Sequence, residues 1–137
     1  MIKETVKYKD FNGNEVSTDL YFNLSKMEIV EIGVNEFAER LQTIINSSNG
    51  PEVLKEFKKF IADAYGIKSD DGKRFVKNDA VRANFIDSAA YDEFMFKLMT
   101  DAAFASKFVN NLIPKETMEE IKAGIDKINA DDVSNQL

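Results

Sequence analysis

A chain of 137 residues with 44% hydrophobic and 31% charged residues has the length and composition of one globular domain. Its net charge of −6 disfavours nucleic acid as a partner, because a phosphate backbone repels an acidic surface. The chain contains neither Cys nor His, which excludes disulfides, thiolate nucleophiles and the commonest metal ligand.

Residues 2–24 predict a β-hairpin, because apolar residues alternate along both arms. A two-residue turn would pair Tyr8 with Ser17 and place the two apolar sets on opposite faces. A three-residue loop at 11–13 pairs Tyr8 with Val16 and restores one apolar face. We therefore predict the longer loop, since a slip of one residue turns every side chain to the other face.

The loop that begins at Asp10 also resembles part of a calcium-binding loop. Asp10, Asn12 and Asn14 occupy the first, third and fifth positions. The sixth position, however, holds Glu15 instead of Gly, and the twelfth holds Tyr21 instead of Glu. A type I turn opened by Asp10, with the next Gly in a left-handed bulge, explains the same residues, and we predict this turn.

Helical periodicity predicts about six helices after the hairpin, the first of them interrupted at Gly33. The predicted starts, in chain order, are a capping box formed by Ser25 and Glu28, then Asn35, Pro51, Asn78, Ser88, Thr100 and Pro114. Gly66 is expected to close the helix that starts at Pro51 in a left-handed conformation. Ile67 and Phe75 are expected to pair across the turn at 69–73 as a second short hairpin.

The predicted fold class is thus α+β, with an N-terminal β-hairpin packed on a mostly α-helical domain. Residues 1–128 are expected to form this single domain, and residues 129–137 a disordered C-terminal tail. No apolar run approaches the ~20 residues that a membrane span needs. The N-terminal residues are too charged for a signal peptide, so an intracellular protein is expected.

No pattern in the sequence predicts an enzyme, a cofactor site or a metal site. Carboxylates occur as adjacent pairs, such as Asp92 with Glu93, and adjacent residues on a helix do not face one another. The turn at 69–74 combines Gly and Lys but lacks the pattern of a phosphate-binding loop. Both features are typical of a solvated surface.

The helix predicted after Ser88 has apolar residues over much of its circumference. Two hypotheses follow: the helix is central in the core, or it offers an apolar groove to a partner protein. One face of the helix carries Tyr91, Phe94, Met95 and Leu98. A different face carries Phe96, Met99 and Ala103. The candidate partner-binding residues are Tyr91, Phe94, Met95, Phe96 and Met99.

Several segments together resemble tail assembly chaperones of long-tailed bacteriophages and of prophages of Gram-positive bacteria, over about residues 5–115. These segments are Tyr8-Lys-Asp-Phe-Asn-Gly-Asn14, Phe22-Asn-Leu-Ser-Lys26, Ala64-Tyr-Gly66, Asp71-Gly-Lys-Arg-Phe75, Ser88-Ala-Ala-Tyr-Asp-Glu-Phe94 and Asn111-Leu-Ile-Pro114. They are turns and helix caps, so the resemblance supplies no catalytic residues.

The resemblance implies a non-enzymatic protein of the host cytoplasm that binds the tape measure protein. Such a chaperone keeps its partner soluble until tail tube subunits polymerise around it, and is absent from the finished virion. A longer form made by ribosomal frameshifting is also implied. The tail tube protein is a further candidate partner, and the exposed edge of the hairpin leaves self-association open. The alternative is a structural tail or head–tail connector protein that stays in the virion.

Overall fold

The computed structural model describes residues 1–46, 50–113 and 115–136. Within these ranges the chain forms four strands and seven helices, which confirms the predicted α+β class. The elements are β1 (Ile2–Lys9), β2 (Glu15–Phe22), α1 (Lys26–Ile32), α2 (Val34–Asn46), α3 (Gly50–Ala64), β3 (Tyr65–Lys68), β4 (Phe75–Val76), α4 (Asp79–Ile86), α5 (Ala89–Thr100), α6 (Ala102–Leu112) and α7 (Lys115–Gln136).

The N-terminal hairpin has the predicted register. Tyr8 lies opposite Val16, and Ile2 lies opposite Phe22. This pairing places the apolar residues of both strands on one face, where Val6 and the inward residues of β2 are buried. The helices cover that face, with α5 packed against β1.

The turn between β1 and β2 is closed by the Asp10 carboxylate. Its Oδ1 atom accepts hydrogen bonds from the backbone N–H groups of Asn12 and Asn14, both at 2.9 Å. The backbone N–H of Gly13 donates to the Asp10 carbonyl at 3.0 Å, and Gly13 has a φ of 83°. The structure therefore confirms the hairpin turn as the explanation of this loop, because Asp10 is engaged by the backbone.

The second hairpin exists, but its predicted register is wrong by one residue. Ile67 lies opposite Val76, not opposite Phe75. The Ser69 backbone N–H donates to the Arg74 carbonyl at 2.9 Å. In the first hairpin the corresponding bond joins the Asp10 N–H to the Asn14 carbonyl. The loop of the second hairpin is thus one residue longer, and this extra residue shifts the pairing of its strands.

The two hairpins form one sheet of four antiparallel strands, in the order β1-β2-β3-β4. Tyr21 and Phe22 of β2 lie opposite Gly66 and Tyr65 of β3. The chain passes from α3 into β3 without a loop, so the expected closure of that helix by a left-handed Gly66 is wrong. Gly66 is a strand residue, and positive φ values occur in the described residues only at Gly13, Gly33 and Gly72.

A cluster of aromatic rings forms the centre of the core. Phe22 is fully buried, and its ring stacks on Phe94 at a centroid distance of 5.0 Å. The rings of Tyr65, Phe85 and Phe108 meet Phe22 edge-on, at centroid distances of 5.9, 6.1 and 5.2 Å. One side chain of β2 thus joins the sheet to α4, α5 and α6.

Helix caps agree with the sequence prediction at most positions. Ser25 and Glu28 form the capping box, Asn78 and Ser88 cap α4 and α5, and Gly33 ends α1. The predicted cap at Thr100 is wrong. Its neighbour Asp101 caps α6 by accepting a hydrogen bond from the Phe104 N–H at 3.0 Å, because the Thr100 hydroxyl donates within α5 to the Phe96 carbonyl.

The last helix continues beyond its predicted end near residue 128, as far as Gln136. Ile121 is buried against the body of the domain, whereas the side chains at 126–128 are exposed. The division of the chain at residue 128 stays a prediction. The helix start predicted at Pro114 lies outside the described residues.

Candidate protein-binding groove

An apolar groove lies between two pairs of helices, with α2 and α3 on one side and α5 and α6 on the other. Its volume is about 620 Å³. The described residues that line it are Ile44, Val53, Phe57, Leu98, Met99, Thr100, Ala102, Ala105, Ser106, Val109 and Asn110. None of these carries a charge, and all are apolar except Thr100, Ser106 and Asn110.

The groove has a closed floor and an accessible rim. Phe57, Leu98 and Val109 form the floor and are buried, which ties the groove to the core. Ile44 and Val53 lie on the rim and are half-buried by the rest of the domain. The groove is therefore closed at its base by core residues and open at its rim.

Helix α5 contributes a large apolar side chain to the exposed rim. Met99 is 38% exposed and lines the groove, and Phe96, one turn earlier, is 66% exposed. Two large apolar side chains at a spacing of three residues share one face of the helix. This face extends the apolar surface outward from the groove.

The start of α5 is fixed by Ser88, whose hydroxyl accepts a hydrogen bond from the Tyr91 N–H at 3.1 Å. From this start, the inward face of the helix buries Phe94, Met95 and Leu98. The opposite face then necessarily carries Phe96. The apolar residues over much of this helix thus form a core face and part of an exposed face.

The five candidate partner-binding residues fall into two groups. Phe94 and Met95 are buried in the core, and Tyr91 is half-buried with its ring edge-on to Phe85 at a centroid distance of 5.1 Å. Phe96 and Met99 are the two of the five that are exposed, at 66% and 38%. Their role in binding stays a hypothesis.

Sequence analysis did not assign the opposite wall of the groove. Ile44 of α2 and Val53 of α3 belong to apolar stripes typical of core-facing helices. No local signal distinguishes a stripe that is fully covered from one that a neighbouring helix covers in part. The groove arises from the spacing between helix pairs, which the sequence pattern does not encode locally.

The described residues contain no group of three or more Asp, Glu, His or Cys placed to hold a metal ion. Hydrogen bonds from the Ser69 hydroxyl and the Lys73 backbone N–H lower the pKa of the Asp71 carboxyl, which is opposite to the shift that a general acid requires. In the part of the chain that the structure describes, the helices are too short or too polar to cross a membrane.

A protein-family model described as "Phage tail assembly chaperone" matches residues 1–136. No curated protein and no solved structure gives a significant match.

Proposed function

This chain belongs to the phage tail assembly chaperone family, and on that premise we propose that it binds the tape measure protein and keeps it soluble. In this proposal the chaperone acts in the host cytoplasm and dissociates as tail tube subunits assemble around the tape measure. It catalyses no reaction.

The observation that supports this proposal most directly is the uncharged groove with Met99 on its rim. A long helical partner whose apolar stripe is not yet covered presents side chains at a spacing of three to four residues. Such a stripe docks in an apolar groove between helices, which is a recurrent mode of peptide recognition. Phe96 extends the same surface by one turn.

The charge of the chain fits the solubilising part of the role. A net charge of −6 on each copy keeps a complex of many copies dispersed through mutual repulsion. Copies bound side by side along one long partner hold it by avidity, although each contact is weak. Weak individual contacts also allow tube subunits to displace the copies one after another.

Co-expression with the tape measure protein of the same gene cluster tests the proposal. We expect the tape measure protein to become soluble and to co-purify with this chain. Met99→Asp places a charge in the groove and should reduce the co-purified amount strongly. Met27→Asp is the matched control, because Met27 is 64% exposed on α1 and does not line the groove.

A tape measure protein that stays insoluble and unbound would overturn the proposal. A partner bound equally by both aspartate variants would place the binding surface elsewhere. Mass spectrometry of purified virions separates the chaperone from a structural tail or connector protein. The chaperone should be missing from virions, whereas a structural protein is present in stoichiometric amounts.

A further inference from the structure

A second surface, independent of the groove, lies along the outer edge of the sheet. Strand β1 is an edge strand of the sheet and pairs on one side only, with β2. It is eight residues long, whereas the strand at the opposite edge, β4, has two residues. The edge of β1 is therefore the long unpaired edge among the described residues.

The hydrogen-bond pattern identifies the residues whose backbone groups face this edge. The Asp10 N–H donates to the Asn14 carbonyl, and hydrogen-bonded pairs recur at every second position of an antiparallel ladder. Val6 and Tyr8 accordingly bond to β2. The backbone N–H and C=O groups of successive residues point to alternate sides of the strand. Those of Lys3, Thr5 and Lys7 therefore point away from β2, towards the free edge.

A shallow depression accompanies the edge. It has a volume of about 380 Å³ and lies between β1 and the helices α5 and α6. Val6, Phe94 and Phe104 contribute its apolar side chains. Its charged side chains are those of Glu4, Lys7, Glu93 and Lys97. The Lys97 ammonium lies 4.2 Å from the centroid of the Phe104 ring. An edge strand beside a helix, with an apolar strip between them, is the arrangement of domains that bind a peptide as an added strand.

The charges of β1 disfavour a second copy as the added strand. In a two-fold pairing centred on Thr5, Lys3 would lie opposite Lys7, and in one centred on Val6 it would lie opposite Lys9. A pairing centred on Glu4 would place two glutamates together. Like charges directly opposite each other destabilise a strand pair, and edge lysines are a common device against such pairing.

The same lysines favour an acidic strand. Lys3, Lys7 and Lys9 are all exposed on the solvent face of β1, in a chain whose net charge is −6. A strand that adds antiparallel to β1 places alternate residues opposite them. Carboxylates at those positions form cross-strand pairs of opposite charge, and an apolar residue opposite Val6 faces the side chain of Phe104.

We propose that the free edge of β1 binds an extended segment of a partner protein by strand addition, with acidic residues opposite Lys3 and Lys7. This surface is distinct from the groove, and the proposal holds whether or not the groove binds the tape measure protein.

A synthetic peptide tests the proposal with the full-length chain. The probe is acetyl-Thr-Glu-Val-Thr-Gln-Glu-Val-amide, whose two glutamates match the spacing of Lys3 and Lys7. The control peptide has lysine at both glutamate positions. On titration, we expect the amide resonances of Lys3, Thr5 and Lys7 to shift with the acidic peptide. The control peptide should leave these resonances in place.

Two variants of the chain, and a control for the first of them, sharpen the test. Thr5→Pro removes the outward N–H, and proline is tolerated at such edge positions. Its control is Thr5→Val, which removes the same hydroxyl, and thus the hydrogen bond to Asp19, but keeps the N–H. Binding should be lost in Thr5→Pro and kept in Thr5→Val. The double variant Lys3→Glu, Lys7→Glu should bind the acidic peptide about fivefold or more weakly and prefer the control peptide.

The proposal is overturned if the acidic peptide shifts none of the three amides. It is also overturned if both peptides bind equally, or if folded Thr5→Pro binds as well as Thr5→Val. Should Thr5→Pro fail to fold, the change of preference in the double variant decides between strand addition and no binding at this edge.

Discussion

The ring of Phe75 lies directly on the backbone of Gly66. A Cβ atom built on Gly66 would come within 2.5 Å of the Phe75 Cε2 atom, a distance at which one of the two residues must move. The contact joins β4 to β3 and, through β3, to the N-terminal hairpin. Glycine is thus required at position 66 by a close approach across the sheet, while its φ is not positive.

Gly66→Ala should lower the free energy of unfolding by about 1–3 kcal/mol, the usual cost of overpacking. Gly124→Ala is the matched control, since a Cβ there meets no atom within 4 Å and alanine favours the interior of a helix. Urea unfolding at neutral pH measures the free energy of unfolding of both variants. Equal stability of Gly66→Ala and the parent chain would show that Phe75 can swing away without cost.

Substitution of Lys77 should lower the free energy of unfolding more than substitution of most other charged residues. Its ammonium donates to the Asn23 carbonyl at 2.6 Å, and to the Asp63 carbonyl and the Glu28 carboxylate at 2.7 Å each. The side chain is only 12% exposed. Lys77→Met leaves three acceptors without this donor, and we expect a loss of about 2–4 kcal/mol in unfolding free energy.

The control for Lys77 is Lys73→Met, at an exposed turn, where the change should stay within about 0.5 kcal/mol. Thermal and urea unfolding of the two variants give the comparison. A small effect at Lys77 would mean that water replaces the ammonium at all three acceptors.

Phe22→Ala should cost about 3–5 kcal/mol, the range for removing a buried Phe. Four aromatic rings contact this side chain, so the cavity would open between the sheet and three helices. Phe11→Ala is the control. Phe11 is 86% exposed at the hairpin tip, and its truncation should change stability by less than about 0.5 kcal/mol. Similar losses at both positions would contradict the assigned core.

Asp71 should contribute to stability in a way that depends on pH. Hydrogen bonds from Ser69 Oγ at 2.7 Å and the Lys73 N–H at 3.0 Å lower its folded-state pKa below the ordinary 3.8. A lowered pKa stabilises the fold above pH 3.8, and this contribution is lost as the pH falls through the folded-state value. Asp71→Asn should therefore be less stable than the parent chain at neutral pH, with the difference vanishing in acid.

An NMR titration of the Asp71 carboxyl checks the cause. The midpoint should lie below 3.8 in the parent chain and rise in Ser69→Ala, which lacks the hydroxyl donor. Asp70→Asn, at the neighbouring exposed position, should leave the Asp71 midpoint in place. A midpoint that does not respond to Ser69→Ala would contradict the hydrogen-bond explanation.

Local chemistry made part of the fold predictable. The register of the first hairpin follows from the need to bring Tyr8 and Val16 to one face, and from a turn that Asp10 and Gly13 close within five residues. The caps at Ser25 and Ser88 follow from side chains that reach backbone N–H groups three residues ahead. In each case, both partners of the interaction lie close together in the sequence.

Pairing between distant segments was not predictable in the same way. The contact of Phe22 with Tyr65 joins β2 to β3 across more than forty positions, and no spacing rule specifies it. The misassignment of Gly66 has the same origin. A glycine after an amphipathic helix is typical of a helix end. The ring that requires glycine at position 66 is that of Phe75 in β4, and the register of β4 was predicted wrongly by one residue.

The sequence by itself determined the α+β class, the hairpin with its apolar face, most helix boundaries, and the two apolar faces of α5. Hydrophobic periodicity and capping are local, so they can be deduced from neighbouring residues. The tertiary structure alone decided which of those faces stay accessible. Phe94 and Phe96 are two residues apart, yet one is buried by Phe22 and the other is exposed, because burial depends on what the rest of the chain places opposite each face.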